Sequence, residues 1–416
     1  MSSLEDVQPI GRFGRFELIT RLAFGGMAEI FLARETLPGS GGASSLRHLV
    51  VKRLLPQVAA DQQFLGMFAD EARLAQRLHH PSICEIFEFG DVEGAYYLAM
   101  EWVDGVSLKK LVRHTRGLGG IPIEMCGHIL AETAGALHYA HTLHDDAGEA
   151  LCIVHRDVSP QNIMVGFDGR VRLLDFGIAK ARTHMNKTKS GVIKGKTAYM
   201  APEQCLGQEL DARTDVFAAG LCFYEGLTGR ALYERPSEYE TMRAIVNEQA
   251  PPSCREHRSD VPPAIDDIVR RAVAREPSRR FQSASSLRAA IETALAESGR
   301  PMNHDRVALY LEKSFYEDMR RGPVVDSVLS HPIAHDPRHL IKRASHLRSL
   351  SEEEIQALRQ VRSADDPEVP SVGKLLDDQI TTVKRQSARR STAIVGALVV
   401  TVIALVGALF AVLLTR

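Results

Sequence analysis

From Ala393 to Leu414 (AIVGALVVTVIALVGALFAVLL) the chain runs for twenty-two residues without a charge, and its only hydroxyl there is Thr401. No other stretch restricts the folding of the chain so tightly. At about 1.5 Å of rise per residue a helix of this length is roughly 33 Å long, enough to cross a hydrocarbon core about 30 Å thick. Lys384, Arg385, Arg389 and Arg390 precede the span, and Arg416 alone follows it. Positive residues stay on the cytoplasmic side, so the pattern predicts one membrane helix over 393–414 with everything before it in the cytosol. The small-xxx-small pairs Ala404/Ala408 and Gly407/Ala411 let two such helices approach closely, which makes a homodimer an expectation.

The residues before the span have ordinary globular character. The first twenty contain no apolar run of signal-peptide length. A formal net charge of −1 excludes a general polyanion-binding surface, so nucleic acid is not an expected partner. Cys84, Cys126, Cys152, Cys205, Cys222 and Cys254 are scattered without a CxxC pair. That spacing offers neither a disulfide framework nor a zinc site, and it suits a reducing compartment.

Residues 16–33 read as two strands around a glycine turn, PGSGGASS at 38–45 as a flexible loop, and His48–Leu54 as an apolar strand. Phe64, Phe68, Ala72, Ala75 and Leu78 recur at helical spacing over 61–79. More strands run to Met100. After Gly105 the periodicity is helical, near 122–144, 215–228, 239–247, 264–275 and 283–297. The expectation is an α+β chain with a strand-rich small lobe and a helical large lobe. Residues 298–392 read as a juxtamembrane linker, part helical at 305–321 and 351–361 and otherwise too polar to pack a core.

The most specific signal is His155-Arg156-Asp157-Val158-Ser159-Pro160-Gln161-Asn162, followed after twelve residues by Asp175-Phe176-Gly177 and then by Ala201-Pro202-Glu203. Upstream, Lys52 closes the strand LVVK, and Glu71 follows nineteen residues later in a helix. The turn Leu22-Ala23-Phe24-Gly25-Gly26-Met27-Ala28-Glu29-Ile30 precedes both. In this order and spacing the motifs resemble the bacterial Hanks-type Ser/Thr protein kinases, over residues 14–296. The resemblance implies a bilobal protein-kinase-like fold, with the kinase domain at 14–297, the linker at 298–392 and the transmembrane helix at 393–414.

Phosphoryl transfer needs a phosphate cradle, a cation on the α/β-phosphates, metal ligands and a carboxylate aimed at the acceptor hydroxyl. By resemblance, Lys52 holds the phosphates and pairs with Glu71, and Asp157 accepts the hydroxyl proton. Asn162 and Asp175 hold Mg2+, the residues 22–30 cover ATP, and Met100, Glu101 and Val103 border the adenine. Asp215 is matched to the aspartate that orients the catalytic loop, and Arg280 to the arginine that pairs with Glu203. His138, His141 and His144 share a helix face, but kinases carry YAH there and a metal site is not expected. The partners implied are protein substrates and, through the last helix, the membrane.

Three departures stand out. The turn keeps one family glycine, Gly25, with Ala at both outer positions. The catalytic-loop lysine of HRDLKPxN is Ser159, and the threonine of GTxxYxxPE is Lys196. The two characters have exchanged places, so Lys196 is expected to supply the missing catalytic cation. A weakly active or inactive kinase-fold scaffold is the alternative. Six bases (Lys180, Arg182, Lys187, Lys189, Lys194 and Lys196) and no acid lie between Asp175 and Glu203. Phosphorylation of Thr183, Thr188 or Ser190 among them is expected to order that segment through Arg156.

Overall fold

Strands with alternating apolar residues form a six-stranded antiparallel sheet: β1 (Gly11–Phe13), β2 (Phe16–Phe24), β3 (Ala28–Pro38), β4 (Ser44–Leu54), β5 (Ile86–Val92) and β6 (Ala95–Glu101). Their order is β1-β2-β3-β4-β6-β5. The computed structural model describes residues 7–25, 27–38, 44–176, 197–248, 251–297 and 299–321. The sheet thus begins at Gly11, three residues before the expected domain boundary.

β4 shows how the pleat places function. Leu49 and Val51 point into one core with Phe16, Phe31 and Tyr97. Val50 and Leu54 point to the other face, against Phe64, Phe68 and Ala72 of helix α2 (Gln62–Ala75). Side chains alternate along a strand, so Lys52 falls on the α2 face. Asp61 starts α2 by accepting from the backbone N–H groups of Gln63 and Phe64, each at 3.1 Å. A short helix, α1 (Pro56–Ala59), precedes it.

The large lobe is helical: α3 (Leu108–Thr115), α4 (Ile123–His141), α5 (Pro202–Cys205), α6 (Ala212–Thr228), α7 (Glu238–Asn247), α8 (Pro263–Ala272) and α9 (Ala284–Glu297). α6 is buried on nearly every side, as a helix apolar all round must be. Asp211 caps its start and Gly229, at φ +72°, ends it in the left-handed conformation that glycine adopts without strain. A second sheet, β7 (Gly105–Ser107), β8 (Ile163–Gly166) and β9 (Val171–Leu173), underlies the cleft.

A final helix, α10 (His304–Arg321), belongs to the same body. Val307, Leu311 and Phe315 are buried in the large-lobe core, and Phe315 lies against His114 of α3 with ring centroids 4.5 Å apart. The helix expected inside the juxtamembrane linker is therefore docked, because its apolar stripe buries more favourably against the lobe than in water. A Cβ at Gly169 (φ +81°) would lie 1.9 Å from the His304 carbonyl oxygen, so only glycine admits the helix there. Among the described residues no helix is long and apolar enough to cross a membrane. The expected span 393–414, the helix at 351–361 and most of the linker lie outside the described residues.

Candidate active site

Lys52 crosses the cleft to the segment after β9. Its Nζ lies 2.9 Å from both carboxylate oxygens of Asp175, 123 residues away in the chain. The side chain of Glu71, its expected partner, lies outside the described residues, as do Gly26, Gly177 and Lys196. The turn between β2 and β3 is closed by Gly25 N–H donating to the Ala28 carbonyl at 2.9 Å, with Phe24 opposite Glu29.

Asp215, in the first turn of α6, fixes the catalytic loop. It accepts from the backbone N–H of His155 at 2.7 Å and of Arg156 at 2.8 Å, and it holds His141 Nε2 at 2.8 Å. Burial pushes its carboxyl up, but the hydrogen bond from His141 and the charge near His155 outweigh burial and leave it below the ordinary aspartate value. Arg156 (φ +63°) and Asp175 (φ +47°) both adopt left-handed backbone, which costs a non-glycine residue free energy. The bonds to Asp215 hold the first and the contact with Lys52 accompanies the second.

His155 joins the two halves of the loop. Its Nε2 lies 2.9 Å from the Leu174 carbonyl, its Nδ1 accepts from Asp157 N–H at 3.2 Å, and its ring packs on Phe176 at 4.5 Å. Asn162 turns its Nδ2 to the Asp157 carbonyl (2.8 Å) and carboxylate (3.0 Å). Its Oδ1 is then the amide atom left to face a cation, and its backbone carbonyl accepts from Leu174 N–H at 2.8 Å, one residue before Asp175. An all-oxygen donor set of this kind fits Mg2+. Among the described residues Ser159 Oγ, Gln161 Oε1 and Arg156 Nε are buried without a hydrogen-bond partner.

Met100 is buried at the end of β6, and Glu101 N–H donates to the Glu85 carbonyl at 2.8 Å. Below the cleft, Arg280 forks onto Glu203 at 2.7 and 2.9 Å, locking the segment after Ala201 to the large-lobe core. A lysine, two carboxylates and an amide, brought together between a sheet lobe and a helical lobe, are the parts that hold and transfer a phosphoryl group.

A family model described as the protein kinase domain matches residues 39–290. The chain belongs to the protein kinase family. "Tyrosine-protein kinase MasK" of Myxococcus xanthus is 41% identical over 286 residues, covering 68% of this chain and 44% of that protein. "Serine/threonine-protein kinase PknB" of Mycolicibacterium smegmatis is 36% identical over 281 residues, 66% of this chain and 42% of that protein. The chain thus spans less than half the length of these relatives. A crystal structure of the Mycobacterium tuberculosis PknI kinase domain matches with a TM-score of 0.52 and 28% identity, covering 69% of this chain and 98% of that one.

Two features of this kinase escaped the motifs. Glu101, expected at the adenine border, also puts its carboxylate on Arg172 of β9 at 3.0 and 3.2 Å. Glu225, fully buried in α6, meets Lys109 and Tyr199. A lone acid in the apolar run VFAAGLCFYEGLT was the available signal for the second. The first had none, because its partners are far apart in sequence.

Proposed function

We propose that this kinase transfers the γ-phosphoryl group of ATP to Ser and Thr hydroxyls of proteins. The observation that carries the reading is the bridge from Lys52 to both oxygens of Asp175, with Asp157 and Asn162 joined on the same loop. With nucleotide bound, Lys52 would neutralise charge on the phosphates, and Asn162 and Asp175 would hold Mg2+, which would supply positive charge to the transferring group. Asp157 takes the acceptor proton, and Asp215 holds the loop that aims it. Autophosphorylation with labelled ATP, against an Asp157→Asn control, tests the reading. Equal incorporation by the two proteins points instead to the inactive scaffold.

Transfer to tyrosine is the second reading, and two observations favour it. The M. xanthus relative named a tyrosine kinase is 41% identical, and Ser159 replaces the lysine usual in Ser/Thr kinases. Phosphoamino-acid analysis of the autophosphorylated chain separates the two.

The kinase domain (14–297) is proposed to lie in the cytoplasm, held at the inner membrane by a single pass over 393–414. Its uncharged length and basic flank support this. Full-length protein that stays in the supernatant when membranes are pelleted refutes the anchor. Dimerisation through Gly407 and Ala411 would favour phosphorylation in trans at Thr188 or Ser190. A Gly407→Leu protein that crosslinks as well as the unaltered chain speaks against it.

A further inference from the structure

Between Gly105 and Ile123 the sequence carries Lys109, Lys110, Arg113, His114 and Arg116 and no acid, a local excess that the net charge of −1 conceals. Lys109 turns inward to Glu225, at 2.7 Å. Arg113 and Arg116 stand three residues apart at the end of α3, so they share one face, and both are exposed. Arg116 Nε donates to the Gly229 carbonyl at 3.1 Å, which brings Arg230, also exposed, to the same place. Among the described residues none of these three guanidinium groups meets a carboxylate. Arg258 bonds the carbonyls of Ile121 and Leu227 close by, and it neutralises Asp260 at 3.1 Å.

After α3 the chain turns through Arg116-Gly117-Leu118-Gly119-Gly120. The N–H groups of Leu118 and Gly120 both donate to the Thr115 carbonyl, at 2.8 and 3.0 Å. Gly119 (φ +89°) and Gly120 (φ +87°) supply the left-handed backbone that closes the turn, with Leu118 at its tip. A Cβ at Gly117 or Gly119 would meet nothing within 4 Å, so the tip stands clear of the body. At Gly120 a Cβ would lie 2.9 Å from the Leu227 carbonyl oxygen, so the base of the turn is packed. Leu118 is 71% exposed, more than any other large hydrophobic residue described. Packing within the fold gives no reason for a leucine there. An apolar side chain raised on a fixed turn among three arginines has the amphipathic character of a surface that enters a lipid interface.

We propose that the Leu118 tip, with Arg113, Arg116 and Arg230 around it, is a lipid-contact surface by which the large lobe docks on an anionic membrane. Leu118 enters the boundary between headgroups and acyl chains, where its apolar surface leaves water. The three arginines lie at the level of the lipid phosphates, whose oxygens a guanidinium matches in charge and shape. The cytoplasmic leaflet is negative, so the charges are complementary. A protein partner needs a broad complementary face, which one leucine on a convex tip does not offer, whereas a fluid lipid surface accommodates it. The inference deepens the membrane reading above: there a span in the chain is the anchor, and here the catalytic body itself touches lipid.

The test places Leu118→Trp, in the full chain, in vesicles with brominated acyl chains, made of phosphatidylcholine alone or of phosphatidylcholine with phosphatidylglycerol. The unaltered chain, whose only tryptophan is Trp102, gives the background. With phosphatidylglycerol present, bromine should quench the added tryptophan about twofold or more beyond that background, and in pure phosphatidylcholine it should not. Changing Arg113, Arg116 and Arg230 together to Gln should remove the quenching, as should salt at about 1 M. An unquenched tryptophan in the anionic vesicles overturns the proposal, and it is the result expected if the patch serves a protein instead. Equal quenching in both vesicles, or quenching kept by the triple variant, overturns it too, because the arginines would then contribute nothing. Should Leu118→Trp fail to fold, amide exchange at Gly117–Gly120 of the unaltered chain must slow in the anionic vesicles and not in the neutral ones. Flotation reads the anchor separately. A chain that floats with both vesicles while its added tryptophan stays unquenched sinks this proposal alone, one that floats only with the anionic vesicles sinks the anchor alone, and one that floats with neither sinks both.

Discussion

Arg172 and Glu101 join the two lobes by their side chains, with Arg172 Nε 3.0 and 3.2 Å from the two oxygens of the Glu101 carboxylate. One of those oxygens also accepts from Glu85 N–H at 3.3 Å. The segment before Glu85 is itself bonded to β9, with Leu173 N–H donating to the Ser82 carbonyl at 2.9 Å and Cys84 N–H to the Leu173 carbonyl at 3.0 Å. The back of the cleft is thus stitched to the large lobe, and Glu101 is the residue where the stitching reaches the segment proposed to border the adenine.

If Glu101 borders the adenine as proposed, Arg172 positions nucleotide through it. Arg172→Ala should raise the KM for ATP about threefold to fivefold, corresponding to about 1 kcal/mol of lost order at the hinge. Both side chains are partly exposed, so the loss of thermal stability should stay below about 1 kcal/mol. The exchange Arg172→Glu with Glu101→Arg should recover most of the affinity. An ATP titration in which Arg172→Ala matches the unaltered kinase refutes the role.

The docked helix gives a stability prediction. Leu311 is fully buried against the large lobe, so Leu311→Ala should destabilise the fold by about 2–5 kcal/mol through lost burial and the cavity left behind. Gly169→Ala should act in the same direction, since the added methyl meets the His304 carbonyl and the backbone is left-handed. Thermal denaturation measures both. Melting temperatures unchanged in both variants would mean that α10 contributes nothing to the folded body.

The sequence reveals this protein unevenly, for physical reasons. Lys52, Asp157, Asn162 and Asp175 stood out as motifs because phosphoryl transfer, by the resemblance, fixes their types and local spacing, and the structure brings Lys52 to Asp175 and Asn162 to Asp157. Asp215 and Arg280 were legible by the same resemblance, and the structure gives both the partners expected of them. Helix α10 was legible as an amphipathic helix, but the surface it meets is made of residues two hundred positions earlier, so periodicity showed a stripe without its destination. Arg172 with Glu101 was hidden for a related reason: an ion pair closed by tertiary folding leaves no mark on either local segment. For Lys109 with Glu225 the lone acid in an apolar run was visible and its partner was not.

Acid should act on Glu203. Burial alone pushes this carboxyl up, but the hydrogen bonds and charge of Arg280, helped by Thr214, overcome that and hold it below the ordinary value of 4.5. A lowered native value means the pair's stabilisation is complete above the unfolded value and is lost as pH falls through the native one. At neutral pH, Glu203→Ala leaves Arg280 buried and unpaired, at a cost of about 3–5 kcal/mol. The difference between the two proteins should shrink below about pH 4.5 as the unaltered carboxyl takes up its proton. Denaturant melts from pH 7 to 3 test this, and a difference that grows on acidification has the wrong sign.

Ser159 poses the last question. Its hydroxyl is buried beside Asp157 without a hydrogen-bond partner among the described residues. The position carries lysine in the Ser/Thr kinases that this chain resembles, and its usual threonine neighbour in the activation segment is here Lys196. Lys196 lies outside the described residues, so the exchange rests on sequence alone. A cation at that point stabilises transition-state charge whichever segment delivers it. Lys196→Ala should therefore lower kcat by about tenfold or more, roughly 1.4 kcal/mol of barrier, while KM for ATP changes little. Ser159→Lys in that background should restore part of the loss, and Ser159→Ala alone should cost little, because the hydroxyl it removes has no hydrogen-bond partner among the described residues. The comparison needs proteins with equal activation-segment phosphorylation. An undiminished kcat in Lys196→Ala would show that this kinase works without a cation at that point, and that Lys196 belongs to the basic phosphate-reading group around Thr188 and Ser190.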